Sequence, residues 1–369
     1  MRLLMTAWSF YPAQEGGPSN ALYWLASGLA HAGYDMHVVT TNRFLPKDSV
    51  EIDQWVEING FKVIYQSNWD DKSVIERELG ECDVYFTDGV CKLSYFNQAK
   101  LALKKGKKVI LSPRGEVFES AIDHKGKLFG CLKRLFLLLM RVSFGSKVIF
   151  HATSKEEVEA VKKYFGRKAN IVLIPNYMIL PEKVRQELIN EERKYLLYVG
   201  RINHIKNLDM LISALAMSKK FMASDYVLKI AGETGGDYYD KLLGQIDDLG
   251  LNDKVRFLGL VTGKDKDVLY AGAKCLFLIS KSENFGNVIV ESLVQGTPIV
   301  ASKGTPWQIL EKEGAGCWIN ATPLEISESI NRLLEASDSE YNAMRESAFR
   351  LSKEFDVYSN IEKWISVVE

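Results

Sequence analysis

Short apolar runs alternate with helical patterns along the whole chain, which is the signature of parallel βαβ units. In the first half the runs predict strands at Leu3–Ala7, Met36–Thr40, Val63–Tyr65, Val84–Thr87, Val109–Ser112, Val148–Ala152 and Ile171–Ile174. The stretch around Phe61–Tyr65 has weaker edges than the others. The first helix is the clearest: Ser19 is placed to cap it, Leu22, Leu25, Ala26 and Leu29 share a face, and Gly33 ends it. Pro175-Asn176 closes the last of these strands, and a polar stretch from Pro181 to Lys194 reads as an interdomain boundary. The second half predicts strands at Tyr195–Val199, Val227–Ala231, Val255–Leu258, Cys275–Ile279, Pro298–Ala301 and Cys317–Ile319. Helices are expected near Asn207–Phe221, Tyr238–Leu249, Asn287–Gln295 and Leu324–Glu335, with a mostly helical tail from Ser339 to Glu369.

The expected architecture is α/β, with two Rossmann-like doubly wound domains facing a central cleft. Residues 1–180 form the first domain, residues 181–352 the second, and residues 353–369 a helix that returns to the first. Such sheets bind ligands outside the carboxyl ends of their strands, so the residues just after each strand are the candidates for chemistry.

Composition narrows the classes. A chain of 369 residues exceeds one ordinary core. Lys+Arg and Asp+Glu both number 47, so a general polyanion binder is disfavoured and no nucleic-acid partner is expected. Arg2, Leu3-Leu4-Met5 and Thr6 read as a first strand rather than a secretory leader. The longest apolar run, Leu135–Met140, is bracketed by Arg134 and Arg141 and is far short of the ~20 residues that span a bilayer. The five cysteines form no CxxC or Cys/His cluster, Cys275 and Cys317 read as buried free thiols, and a cytoplasmic location is expected.

Three strand ends carry candidate chemistry. After the first strand, Gly16-Gly17-Pro18-Ser19-Asn20 leads into a helix; glycines there let backbone approach a ligand and the helix N-terminus attracts an anion. The same turn also suits a ligand-free fold, and it is not GxGxxG. After Tyr195–Val199 come Gly200-Arg201 and Lys206-Asn207, two cations suited to a diphosphate or simply to solvent. The richest segment is Ser282-Glu283-Asn284-Phe285-Gly286-Asn287-Val288-Ile289-Val290-Glu291, continuing to Gly296-Thr297-Pro298. There Gly286 permits a tight turn, and two carboxylates suited to sugar hydroxyls flank a helix N-terminus whose N–H groups suit phosphate; the alternative is one cap-region glutamate and one exposed helical glutamate.

This ordered set resembles a family 4 glycosyltransferase: the N-terminal GG, Gly200-Arg201 with Lys206-Asn207, and E-x7-E followed by Gly296-Thr297-Pro298. His151-Ala152-Thr153-Ser154 with Glu156, and Pro175-Asn176, match the same family, and the resemblance runs over nearly the whole chain. It implies a GT-B fold and transfer with retention from a nucleotide-diphosphate sugar, UDP- or GDP-linked, with no metal and no cofactor. It implies that Arg201 and Lys206 neutralise the donor diphosphate, with Gly16 and Gly17 approaching it from the first domain. Glu283, a catalytic candidate, would contact the transferred sugar, with Phe285, Gly286 and Asn287 beside it, and Glu291 would hold the ribose. No strand end carries a DxD pair or a His/Asp cluster, which is consistent with metal independence.

One segment departs from the common pattern. Where many relatives carry His-Gly, this chain has Ser112-Pro113-Arg114-Gly115-Glu116, which resembles a subset acting in surface-polysaccharide assembly. Arg114 stays protonated, so its expected role is to orient a substrate or stabilise charge, with Glu116 and Glu119 as alternatives for proton handling. A structural pair between Arg114 and one of those carboxylates is the competing reading. The segment His124–Lys147 carries Lys125, Lys127, Lys133, Arg134, Arg141 and Lys147 with no acidic residue, which suits either a solvated face or peripheral contact with an anionic membrane on the cytoplasmic side. A glycan or lipid-linked acceptor is expected. Two other classes compete: a nucleotide-sugar 2-epimerase, and a non-catalytic sugar-nucleotide-binding partner.

Overall fold

The computed structural model describes residues 1–13, 17–124, 126–185 and 194–369. The first unit comprises Met1–Ile179 and Asp356–Glu369, the second Leu180–Phe355. Strands of the first unit are β1 (Arg2–Ala7), β2 (Asp35–Thr41), β3 (Trp55–Ile58), β4 (Phe61–Gln66), β5 (Val84–Asp88), β6 (Lys108–Ser112), β7 (Ile149–Ala152) and β8 (Asn170–Leu173). They form one sheet in the order β3-β4-β2-β1-β5-β6-β7-β8, so the winding reverses between β1 and β5. Among the described residues, only the edge pair β3–β4 of this sheet is antiparallel.

The near-continuous apolar run of β1 reflects burial on both faces. Leu3, Met5 and Ala7 pack with Leu22, Leu25 and Leu29 of the helix Gly17–His31, while Leu4 faces Ile75 and Leu79 on the other side. Val357, Ile361, Trp364 and Val368 of the C-terminal segment join the first of these clusters. Gly28 makes room for them: a Cβ there would lie 2.8 Å from Val357 Cγ2 and 2.9 Å from Ile361 Cδ1.

The second unit holds β9 (Tyr195–Val199), β10 (Val227–Ala231), β11 (Val255–Gly259), β12 (Cys275–Leu278), β13 (Ile299–Ser302) and β14 (Gly316–Ile319). This all-parallel sheet runs β11-β10-β9-β12-β13-β14, with its reversal between β9 and β12. Both units are therefore doubly wound α/β layers.

Several local expectations are corrected. Ser19 does not cap the first helix; it lies inside it, buried, with its hydroxyl 2.8 Å from Ser9 Oγ. Strand β3 is an addition, formed because Asn59 and Gly60 both take positive φ (45° and 79°) and close a two-residue hairpin. The helix expected over Asn207–Phe221 begins one residue later, because Asn207 is left-handed (φ 61°), and it breaks at Ser218. The Ser218 hydroxyl donates to Asn331 Oδ1 at 2.7 Å and accepts from Phe221 N–H, so it starts a new turn instead of continuing the old one. Residues 186–193 of the polar boundary stretch lie outside the described residues, as do Gly16 and Lys125.

Candidate active site

The reversal between β9 and β12 is where an open parallel sheet leaves a crevice at its carboxyl edge. Two loops flank it in the second unit, Gly200–Asn207 after β9 and Ile279–Gly286 after β12. They are tied together by Lys281 N–H donating to Ile205 O at 2.8 Å. Lys206 Nζ donates to Glu283 Oε2, so the diphosphate candidate and the sugar candidate meet as an ion pair. Ser280 Oγ donates to the same carboxylate oxygen at 3.3 Å, and Glu283 N–H donates to Gly304 O at 2.9 Å. Gly304 cannot be larger, since a Cβ would lie 2.3 Å from Ser280 O. Arg201 is exposed and makes no ion pair among the described residues.

Phe285, Gly286 and Asn287 deliver the chain into the helix Asn287–Val294. Phe285 turns its ring inward, 5.1 Å from Trp307 and 5.9 Å from Phe355, and accepts the Trp307 indole N–H at its carbonyl. Phe285, 6% exposed, therefore offers backbone rather than side chain. Gly286 sits at φ 87°, a conformation open to glycine, and a Cβ there would lie 2.8 Å from Leu278 Cδ2.

Glu291 is 7% exposed, not the solvated helical glutamate that a bare reading of the sequence allows. Its Oε1 accepts from Lys266 Nζ at 3.0 Å and its Oε2 from Tyr270 OH at 2.8 Å. Burial, reinforced by Glu291, raises the Tyr270 phenol well above its usual range, so it remains a donor to the carboxylate. Lys266 and Tyr270 were not singled out from sequence; their i, i+4 spacing on the helix Gly263–Gly272, which puts them on one face, was the available signal.

In the first unit, polar groups gather at the carboxyl ends of β5 to β8. Arg114 is left-handed (φ 46°) and Gly115 follows at φ 87°, closing a turn in which Glu116 N–H donates to Pro113 O at 3.0 Å. The Arg114 side chain is buried: Nε lies 2.8 Å from Asp88 Oδ1, a Coulombic contact without hydrogen-bond alignment, and Nη1 donates to Asn176 Oδ1 at 3.0 Å. Burial pulls its pKa down while Asp88 and Glu157 hold it up. Neither suggested carboxylate partners it. Glu116 accepts from Val90 N–H (2.6 Å) and Cys91 N–H (2.9 Å). Glu119 is held by Lys163, Tyr164 and Arg134 and titrates at about 2, so it remains charged and handles no proton near neutrality.

Glu156, which matches the family's strand-end pattern, is exposed, and the buried carboxylate here is its neighbour. Glu157 is the buried carboxylate, accepting from Gly115 N–H at 2.5 Å, Thr153 N–H at 2.8 Å and Thr153 Oγ1 at 3.0 Å. The pattern Ser154-x-x-Glu157, a helix-start signature, was the missed signal, and Ser154 does cap Glu157 N–H at 3.1 Å. Burial raises the Glu157 pKa against those donors. His151 Nε2 lies 2.8 Å from Ile174 O, which only accepts, so Nε2 carries the hydrogen and Nδ1 accepts from Ser112 Oγ at 2.7 Å. Burial and the neighbouring Arg114 depress its pKa to about 3. Among the described residues, no group of three or more His, Cys, Asp or Glu could hold a metal, and no helix is long and apolar enough to cross a membrane.

Known proteins give this geometry a context. Residues 181–350 match the family described as glycosyl transferases group 1. An uncharacterised glycosyltransferase of Methanocaldococcus jannaschii is 27% identical over 90% of this chain and 89% of its own length. The structure of Anabaena HepE in complex with UDP and glucose superposes with a TM-score of 0.74 at 18% identity, covering 99% of each chain. That of WaaG, a glycosyltransferase involved in lipopolysaccharide biosynthesis, gives 0.67 at 17% identity, again over 99% of each. The second unit therefore carries a glycosyl transferases group 1 domain, the two Rossmann-like units have the GT-B fold, and the chain is a glycosyltransferase.

Proposed function

We propose that this enzyme is a family 4 transferase of the surface-polysaccharide type, moving a hexosyl group with retention from a UDP- or GDP-sugar to a glycan or lipid-linked acceptor. The second unit binds the donor and the first the acceptor. Arg201 and Lys206 neutralise the diphosphate, with Gly16 and Gly17 contributing from the first unit, although Gly16 lies outside the described residues. Glu283 contacts the sugar, the backbone of Phe285, Gly286 and Asn287 lines its path to the phosphates, and Glu291 holds the ribose. Arg114, already committed to Asp88 and Asn176, acts by charge and by fixing its loop rather than by proton transfer. No metal and no cofactor takes part. The enzyme works on the cytoplasmic side of a membrane, in peripheral contact with anionic lipid.

One observation carries the reading: a lysine, two carboxylates and a helix N-terminus assemble around the β9/β12 reversal, with Glu283 and Lys206 already in contact. The UDP and glucose in HepE and the lipopolysaccharide pathway of WaaG support the donor class and the acceptor class respectively. Thermal denaturation with UDP and GDP tests donor binding, since a ligand at 100 times its Kd stabilises by about 2.7 kcal/mol. Transfer is expected to survive EDTA. No shift with either nucleotide, or activity lost in EDTA and restored by Mg²⁺ or Mn²⁺, would overturn the proposed site.

A further inference from the structure

The helix Lys127–Phe144 buries Gly130, Leu137, Met140 and Phe144 against the first unit. Its other side carries Leu128, Leu132, Leu135, Leu139 and Val142, which are 80%, 59%, 55%, 54% and 78% exposed. These positions alternate four and three residues apart, so they form one straight apolar seam along the whole helix. A solvated helix carries polar side chains there; a contiguous apolar face of this length marks a contact surface.

The edges of the seam say what it contacts. Lys127, Arg134 and Arg141 follow one another at heptad spacing along one edge, Lys133 borders the buried side, and no Asp or Glu occurs between Gly126 and Ser154. Arg134 is neutralised by Asp123 and Glu119, and Lys133 donates to Ala121 O at 2.9 Å. Lys127, Arg141 and Lys147 make no ion pair among the described residues. A second copy of this helix would bring like charge to like charge with no acidic residue to match it. An anionic lipid surface complements the charge and accepts the leucines.

We infer that this face inserts in the plane of an anionic bilayer, its seam among the acyl chains and its basic edge against lipid phosphates. The inference deepens the proposed peripheral contact, but it changes the physics. Adsorption through Lys133, Arg134 and Arg141 alone would be purely electrostatic, and two of those cations are already engaged within the protein. Insertion of the seam leaves a component of binding that salt does not remove.

The test is sedimentation of the full chain with vesicles of phosphatidylglycerol and phosphatidylcholine, and with phosphatidylcholine alone. The wild type should bind the anionic vesicles and keep part of that binding at high salt. The double variant Leu132→Gln/Leu139→Gln removes two exposed leucines, so folding is spared, and partition should weaken roughly 100-fold at about tenfold per leucine. Arg134→Ser should change partition little. Equal binding of the double variant and wild type, complete release by salt, or a concentration-dependent dimer that the double variant abolishes without any vesicle binding would each overturn the inference. UDP and GDP binding, read on the same samples, is expected to be the same in wild type and variant, so a failure of the donor-site reading is seen separately.

Discussion

Glu283 and Glu291 stand eight residues apart in sequence, yet the structure gives them different partners, and replacing each by Gln separates the two proposed roles. Glu283 is paired with Lys206, their side chains 18% and 15% exposed. An ammonium that bridges this carboxylate and a bound phosphate holds the two anions about 5–6 Å apart, where repulsion amounts to roughly 1–3 kcal/mol at an effective dielectric between water and a protein surface. Glu283→Gln removes that repulsion and frees Lys206, so nucleoside diphosphate affinity should stay level or tighten several-fold, while kcat should collapse because the proposed sugar contact loses its anionic acceptor. Glu291 differs, since both its oxygens already accept donors, Lys266 at 3.0 Å and Tyr270 at 2.8 Å. A Gln there turns an N–H group toward one of them and costs about 1–3 kcal/mol of stability. In the proposed ribose-binding role it would also withdraw a charge-assisted contact, and diphosphate and sugar nucleotide should weaken alike by roughly 10- to 150-fold. The assay is calorimetry of UDP and GDP with kcat and KM for each variant. Lost diphosphate affinity in Glu283→Gln, with affinity retained in Glu291→Gln, would refute the assignment.

Three further outcomes follow from the geometry. Arg201→Ala and Lys206→Ala should each weaken diphosphate binding by about 1.5–3 kcal/mol, with Lys206→Ala the worse because it leaves Glu283 facing the phosphates unpaired; equal affinity in wild type and both variants by calorimetry removes them from the site. His151, held at about 3 against ~6.5 in an unfolded chain, stays neutral when folded, so the unfolded chain binds the extra proton between those values. Stability should therefore fall as pH drops below about 6.5, by up to about 1.4 kcal/mol per unit, and denaturation curves of wild type and His151→Gln that run parallel across this window would contradict it. Arg114→Ala breaks the buried ion pair with Asp88 and the hydrogen bond to Asn176 and should cost about 1–3 kcal/mol, with Arg114→Lys recovering part; a wild-type melting temperature for Arg114→Ala would mean that the buried pair carries no structural weight.

The parallel strands were readable because burial on both faces leaves uninterrupted apolar runs, as in Leu3–Ala7 and Tyr195–Val199. The edge hairpin at Trp55–Ile58 was not, since an edge strand is short and mixed, although Asn59-Gly60 announced its turn. Site residues at strand ends were visible as types and spacings. Their partners were harder: the spacing of Lys266 and Tyr270 and the Ser154-x-x-Glu157 pattern marked helix faces and starts, but not that Lys266 and Tyr270 reach Glu291, that Glu157 reaches Gly115 or that Asp88 reaches Arg114 across the fold. Arg114 shows the limit most clearly. Local spacing offered Glu116 and Glu119, but a left-handed turn directs the guanidinium to Asp88 on the neighbouring strand.

Acceptor-dependent turnover tests the central claim most directly. The full chain would be incubated with UDP- and GDP-hexoses, with and without a lipid-linked glycan extract, and nucleoside diphosphate release followed alongside the identity of the sugar nucleotide. The account predicts release that requires the acceptor and disappears in Glu283→Gln. An epimerised sugar nucleotide formed without acceptor, or tight nucleotide binding with no release under any condition, would contradict it.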